Sequence, residues 1–180
     1  MKYLVASDIH GSNYYFDKLL EAFKNECADT LILLGDLYYH GPRNPLPKDY
    51  NPMEIANKLN NFEKELFVIK GNCDAEVDEM ISNFKFNEHL EILLNNKKFY
   101  FTHGHHENID NIPNEIDVLI YGHFHTGFIK TKNNVTIINP GSTSLPKENT
   151  PNSYLVIDIK NEIEINLKDF EGNVISNITL

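Results

Sequence analysis

Seven residues of metal-ligating type stand just beyond apolar runs of the chain. Asp8 and His10 follow "KYLVAS", Asp36 follows "TLILLG", and Asn72 follows "ELFVIKG". His103 follows "KKFYFT", and His123 with His125 follow "DVLIYG". One such residue serves a turn or a helix cap as readily as a cation, but so many at equivalent places are hard to assign to chance. A mixed set of carboxylate, amide oxygen and imidazole suits manganese, iron, nickel or zinc better than calcium. It is too large for one cation and fits two, about 3.5–4 Å apart with a shared bridging group. Asp36 is the natural bridge, because a carboxylate offers one oxygen to each ion. Asn72 offers a carbonyl oxygen, and its amide could also reach a phosphate oxygen. Asp8/His10 and His123/His125 are both i, i+2 pairs, so an extended backbone would turn each pair to one side.

Around this set lie residues that could contact an anion. His40 and Arg43 in "HGPRN" are expected at the substrate, since a guanidinium grips phosphate with two parallel hydrogen bonds. Asn44 is expected to hold that loop. His105 would either orient His103 or meet the phosphate, while His106 and His89 read as surface residues. Asp74 would hold a ligand imidazole or cap the helix that follows, and Ser142 would tighten a turn near the site. Cys73 lacks an assigned base that would make it a nucleophile. Beside Asn72 it reads as a small neutral residue outside the metal set. Cys27, at the end of an amphipathic helix, is expected in the core.

Elements with the right ends are legible around these residues. The apolar runs, rich in Val, Ile, Leu, Phe and Tyr, read as buried strands, with "VTIIN" before Pro140-Gly141 as a further one. "NYYFDKLLEAFKNE" and "PMEIANKLNNFEKE" space their apolar residues as helices, the second with Pro52 in its first turn. Strand–helix alternation predicts an α/β fold with right-handed crossovers, whose ligands gather beyond the carboxyl ends of the strands. After residue 150 the runs "SYLVIDI", "EIEINLKDF" and "NVISNITL" predict antiparallel hairpins. The segment 38–52 is the one long loop, stiffened by prolines.

The chain has 180 residues, 41% hydrophobic and 23% charged, with no linker or repeat, and reads as a single domain over 1–180. A net charge of −10 disfavours long nucleic-acid backbones, although bound cations would let an acidic chain handle phosphates. No apolar run approaches the roughly 18 residues of a membrane span. The opening apolar run, about five residues, is shorter than a signal h-region. With only two cysteines, a cytoplasmic protein with reduced thiols is expected.

The motifs "DIHG", "GDL", "GNCD", "THGHH" and "GHFH", in this order, resemble those of the calcineurin-like metallophosphoesterases. "HGPRN" and "NPGS" add a resemblance to the small YfcE-type branch. The resemblance covers nearly the whole chain and implies a four-layer α-β-β-α sandwich with mixed sheets. It also implies a hydrolase of small phosphodiesters that uses two divalent ions, manganese first, with zinc, iron and nickel as alternatives. By position, one ion would take Asp8, His10, Asp36 and His125, and the other Asp36, Asn72, His103 and His123. Asp36, Asn72 and His103 would carry the catalysis, with a hydroxide between the ions attacking phosphorus in line. His40, Arg43, Asn72, Cys73 and His105 would face the substrate. Many relatives place histidine where Cys73 stands, and a thiol is the weaker donor, which favours diesters over dianionic monoesters. Alternatives are a monoesterase or pyrophosphatase on a nucleotide-like substrate, and a non-catalytic scaffold like the retromer subunit of this family. The likeness makes a homodimer or homotetramer plausible.

Overall fold

A computed structural model describes residues 1–180. The chain runs β1 (Lys2–Ala6), α1 (Asn13–Asn25), β2 (Thr30–Leu33), α2 (Pro52–Asn60), β3 (Glu65–Ile69) and α3 (Glu76–Met80). It continues through β4 (Phe86–Asn87), β5 (Leu90–Leu94), β6 (Lys97–Thr102), β7 (Val118–Tyr121), β8 (Phe128–Lys132) and β9 (Val135–Asn139). The last three strands are β10 (Ser153–Ile159), β11 (Ile163–Asp169) and β12 (Val174–Thr179).

The six apolar runs of the first 140 residues become the centres of two mixed sheets. One sheet has the order β12-β11-β10-β1-β2-β3-β4, the other β5-β6-β7-β9-β8. Within them β1, β2 and β3 are parallel neighbours, as are β6, β7 and β9. These strands read as continuous apolar runs because both of their faces are covered. In β1, Leu4 and Ala6 face the helices while Tyr3 and Val5 face the other sheet. In β6, Phe99 and Phe101 face the first sheet and Tyr100 faces outward. The layer between the sheets joins Val5, Ile32, Phe99, Ile120, Ile138 and, from β11, Ile165 into one apolar cluster. By contrast β11 alternates buried Ile163, Ile165 and Leu167 with Glu164, Asn166 and Lys168, as a strand with one wet face should.

The helices pack on the outer face of the first sheet, where Phe16, Leu19, Ile55 and Leu59 meet Leu4 and Leu31. Ser12 caps α1 through a bond from the Tyr15 N–H, and Asn51 caps α2 through one from Glu54. The layer over the second sheet differs from the helical one expected. Ile109, Ile112 and Ile116, from the irregular segment 103–117, cover Tyr100, Leu119, Tyr121 and Ile137. Gly104, Asn108, Asn111 and Pro113 break any helical run there.

The C-terminal hairpins form as expected. Two further hairpins, β5–β6 and β8–β9, turn at Asn95-Asn96 and Asn133-Asn134, both with positive φ. Asparagine tolerates that conformation, so "NN" between apolar runs was the signal for both. Cys27 is exposed, not in the core. It takes φ +51 just past α1, where its N–H bonds Lys24 O and Ala28 N–H bonds Phe23 O. That is a helix stop in which the left-handed residue faces out and the next, Ala28, faces in. No helix is long and apolar enough to cross a membrane.

Candidate metal centre

The carboxyl ends of β1, β2, β3, β6 and β7 converge on one place. Pairing between the first two strands continues beyond them: Asp8 N–H bonds Gly35 O at 3.1 Å, and His10 N–H bonds Asp36 O at 2.8 Å. The i, i+2 pairs are not extended. Asp8, His10, Asp36, His123 and His125 have φ of 57°, 51°, 55°, 63° and 61°. Left-handed backbone at a non-glycine residue costs about 1–3 kcal/mol, and it persists only where surrounding bonds over-determine it. Here they do. Asp8 Oδ2 accepts the His123 N–H at 2.9 Å, tying the first sheet to the second. Ser142 Oγ donates to Asp8 O at 2.8 Å and also accepts the Leu145 N–H, so it anchors the site as well as its turn.

Asp74 neither caps α3 nor touches an imidazole. Its carboxylate accepts the backbone N–H groups of Asp36 (2.8 Å), Leu37 (2.9 Å) and Gly71 (2.7 Å), clamping the ends of β2 and β3 together. That approach needs glycine at 71, because a Cβ there would collide with the Asp36 carboxylate.

Three imidazoles are fixed from behind. His10 Nδ1 donates to Tyr39 O at 2.8 Å, His103 Nδ1 to Leu34 O at 2.6 Å, and His125 Nδ1 to Leu145 O at 2.7 Å. With these tautomers, assigned from the bonding, each Nε2 lone pair is turned into the site. The result is a set of facing acceptors. His10 Nε2 and His125 Nε2 are 3.2 Å apart, and His125 Nε2 is 3.2 Å from Asp8 Oδ1, a buried oxygen without a hydrogen-bond donor. His103 Nε2 stands 3.0 Å from Asn72 Oδ1. Lone pairs so arranged demand positive charge among them, as protons or as cations. The donor atoms of Asp8, His10 and His125 lie within 4.8 Å of one another, as do those of Asp8, Asp36 and His103, so the residues fit metal ions. His123 adjoins them, its ring 5.1 Å from that of His103.

The electrostatics follow from this crowding. Burial pushes the Asp8 carboxyl up, but the His10 and His125 imidazoles outweigh it and hold Asp8 well below the usual carboxylate range. Burial likewise opposes ionisation of Asp36, and His103 wins there. Burial pulls His103 down, yet Asp36 and Asp8 push it up to about 9. Burial and the charge of His103 bring His123 down to about 4.

The centre opens into a cleft of about 1030 Å³, lined among others by Asp36, Asn72, His123 and His125. Residues 1–162 match the family model of the calcineurin-like phosphoesterase superfamily domain. The chain belongs to that superfamily. Among its curated relatives is phosphodiesterase YfcE of Escherichia coli (strain K12), 40% identical over 161 residues, with 88% of each chain covered. A solved structure of YfcE, described as a phosphoesterase from E. coli, superposes with a TM-score of 0.93 at 35% identity, covering 99% of this chain and 98% of that one. Vps29 of Entamoeba histolytica complexed with Zn²⁺ shares the fold, with a TM-score of 0.63 at 21% identity over 100% of this chain and 98% of that one.

On this calcineurin-like frame the remaining expected residues separate. Arg43, Asn44 and Cys73 line the cleft, and Asn44 Nδ2 donates to His40 O at 2.8 Å, holding the loop. His40 does not line it: its ring lies edge-on to Tyr39 and Tyr50, with centroids 4.9 and 5.3 Å away. His105 is exposed beside His106, with its ring 5.4 Å from that of His103 and 6.3 Å from that of His123, both candidate ligands. His89 is exposed but stacks on Tyr100 at 5.0 Å. Cys73 stands nearer the centre than a bystander would, its Sγ within 4.8 Å of the donor atoms of His10 and Asp36. Burial and the charge of Asp36 push its thiol up to about 12, so it is neutral there without a cation. Phe124, Phe128, Lys130 and Lys147 also line the cleft. Sequence reading passed over them, although Phe124 sits between two candidate ligands.

Proposed function

We propose that this chain is a metal-dependent phosphodiesterase acting on a small phosphodiester, through two divalent cations, with manganese as the first candidate. The observation that carries this reading is the division of the Asp36 carboxylate. Oδ2 lies 3.7 Å from His10 Nε2, and Oδ1 lies 3.5 Å from His103 Nε2, so each oxygen faces a different ligand group. Asp8, His10 and His125 would hold one cation beside Asp36, and Asn72, His103 and His123 the other. Such a pair, when bound, supplies an activated water near neutral pH and positive charge for the phosphoryl oxygens. The protein's own part is to fix these groups from behind and to present Arg43 from the cleft wall to the phosphate.

The name of the 40%-identical relative, a phosphodiesterase, supports the diester assignment. So does Cys73: a neutral thiol offers less than an imidazolium to a dianionic monoester. Retention of all seven candidate ligands weighs against a purely non-catalytic scaffold. The test is metal-stripped protein assayed with chromogenic mono- and diesters while each metal is restored in turn. Diester turnover that returns with a divalent cation is expected; no turnover with any cation would overturn the reading.

A further inference from the structure

The cleft is larger than a phosphate needs, and one end of it is aromatic. Phe124 projects from the turn between His123 and His125, its ring 5.9 Å from that of His123. It packs edge-on against Tyr121 at 5.3 Å, and Tyr121 packs on Phe128 at 6.1 Å. Phe124, Phe128 and Ile109 line the cleft, and the buried Tyr121 ring backs the two phenylalanines from the layer beneath. Phe124 remains 36% exposed although an apolar neighbour stands on one side of it. Its place is set by the strained 123–125 turn, in which the Phe124 N–H bonds Gly122 O at 2.6 Å. The cations of Arg43, Lys130 and Lys147 line the same cleft, against Glu148 as the one rim carboxylate. Lys130 Nζ lies 4.6 Å from the centre of the Phe128 ring.

We infer that this aromatic end is a seat for one ester arm of the substrate, and that the arm carries a planar aromatic group of aryl or nucleobase type. This rests on the phosphodiesterase reading above. An aromatic face one residue from two candidate ligands puts a stacked ring within one ester linkage's reach of the phosphorus. Stacking of a base or aryl ring on an exposed aromatic side chain tolerates any π-face, whereas an aliphatic arm gains little from it. The lysines complement the anionic charge that such a substrate carries.

The test uses slowly hydrolysed diesters as competitive inhibitors of the metal-loaded enzyme, with a chromogenic diester as reporter. Diphenyl phosphate should inhibit roughly tenfold more tightly than diethyl phosphate. Phe124→Ala should collapse that ratio to within about twofold, and Phe124→Trp should keep or raise it. A ratio near one in the unaltered enzyme, or a ratio untouched by Phe124→Ala, would overturn the seat. In either of those cases reporter turnover still stands, whereas failure of the phosphodiesterase reading would appear as no turnover at all. Comparing the methyl esters of thymidine 5′-phosphate and phenyl phosphate then separates the two sources of the ring. Tighter binding of the first assigns a nucleobase, and of the second a simple aryl group.

Discussion

The carboxylate of Asp74 accepts the backbone N–H of Asp36 at 2.8 Å, so one acid holds the main chain of another whose side chain faces both ligand groups. Cys73 N–H closes the arrangement by donating to Asp36 Oδ1 at 2.8 Å. Asp74→Asn keeps the shape but leaves an amide N–H₂ facing a backbone N–H. It should lower metal affinity by about 10–100-fold and cost about 1–3 kcal/mol of stability. Isothermal titration with Mn²⁺ and thermal unfolding check this; unchanged affinity would show that the clamp does not position Asp36.

Asp36→Asn removes the charge between the two histidine groups. Metal-stimulated diester hydrolysis should disappear, and the number of cations bound per chain should fall from two to one or none. Full activity in this variant would refute the assignment of Asp36 as the bridge.

Cys73→His places a donor that ionises near neutrality where the thiol stands. Turnover of a chromogenic monoester should rise relative to that of the matched diester. A constant ratio would remove the electrostatic explanation for diester preference.

Without cations, Asp36 and Asp8 raise His103 to about 9 against burial, which alone would lower it. A raised histidine stabilises the fold below the unfolded value of about 6.5 and loses that stabilisation as pH climbs through about 9. Chelator-treated protein should therefore melt progressively lower from pH 6.5 to 9, and metal-loaded protein should not. Cation binding at pH 7 should release protons, measurable by calorimetry in buffers of different ionisation heat. Absence of buffer dependence would contradict this.

Cys27 occupies a left-handed stop at the end of α1 with its side chain exposed. Cys27→Gly removes the Cβ conflict at about 1 kcal/mol, so the melting temperature should rise by about 2–4 °C. A fall would mean that the thiol makes a contact which outweighs the strain.

The fold was legible where local pattern and burial agree. Runs such as "KYLVA" and "TLIL" are apolar at nearly every position because they lie between two layers, and the two long helices carry their caps in the sequence. β5 and β8 were not recognised, because as edge strands with charged residues they lack that continuous signal; their "NN" turns held the information.

The sequence by itself determined the residue types, the order of the motifs and the strand ends that carry them. Those features follow from local chemistry, since ligand type and apolar periodicity are written residue by residue. Only the tertiary structure decided how the ligand pairs converge. Left-handed turns, not extended backbone, aim Asp8, His10, His123 and His125, and such turns survive only through bonds from other strands. It also separated Arg43, on the cleft wall, from His40, turned toward Tyr50, although the two lie three positions apart. Side-chain direction within an irregular loop depends on what packs behind it, and that comes from distant parts of the chain.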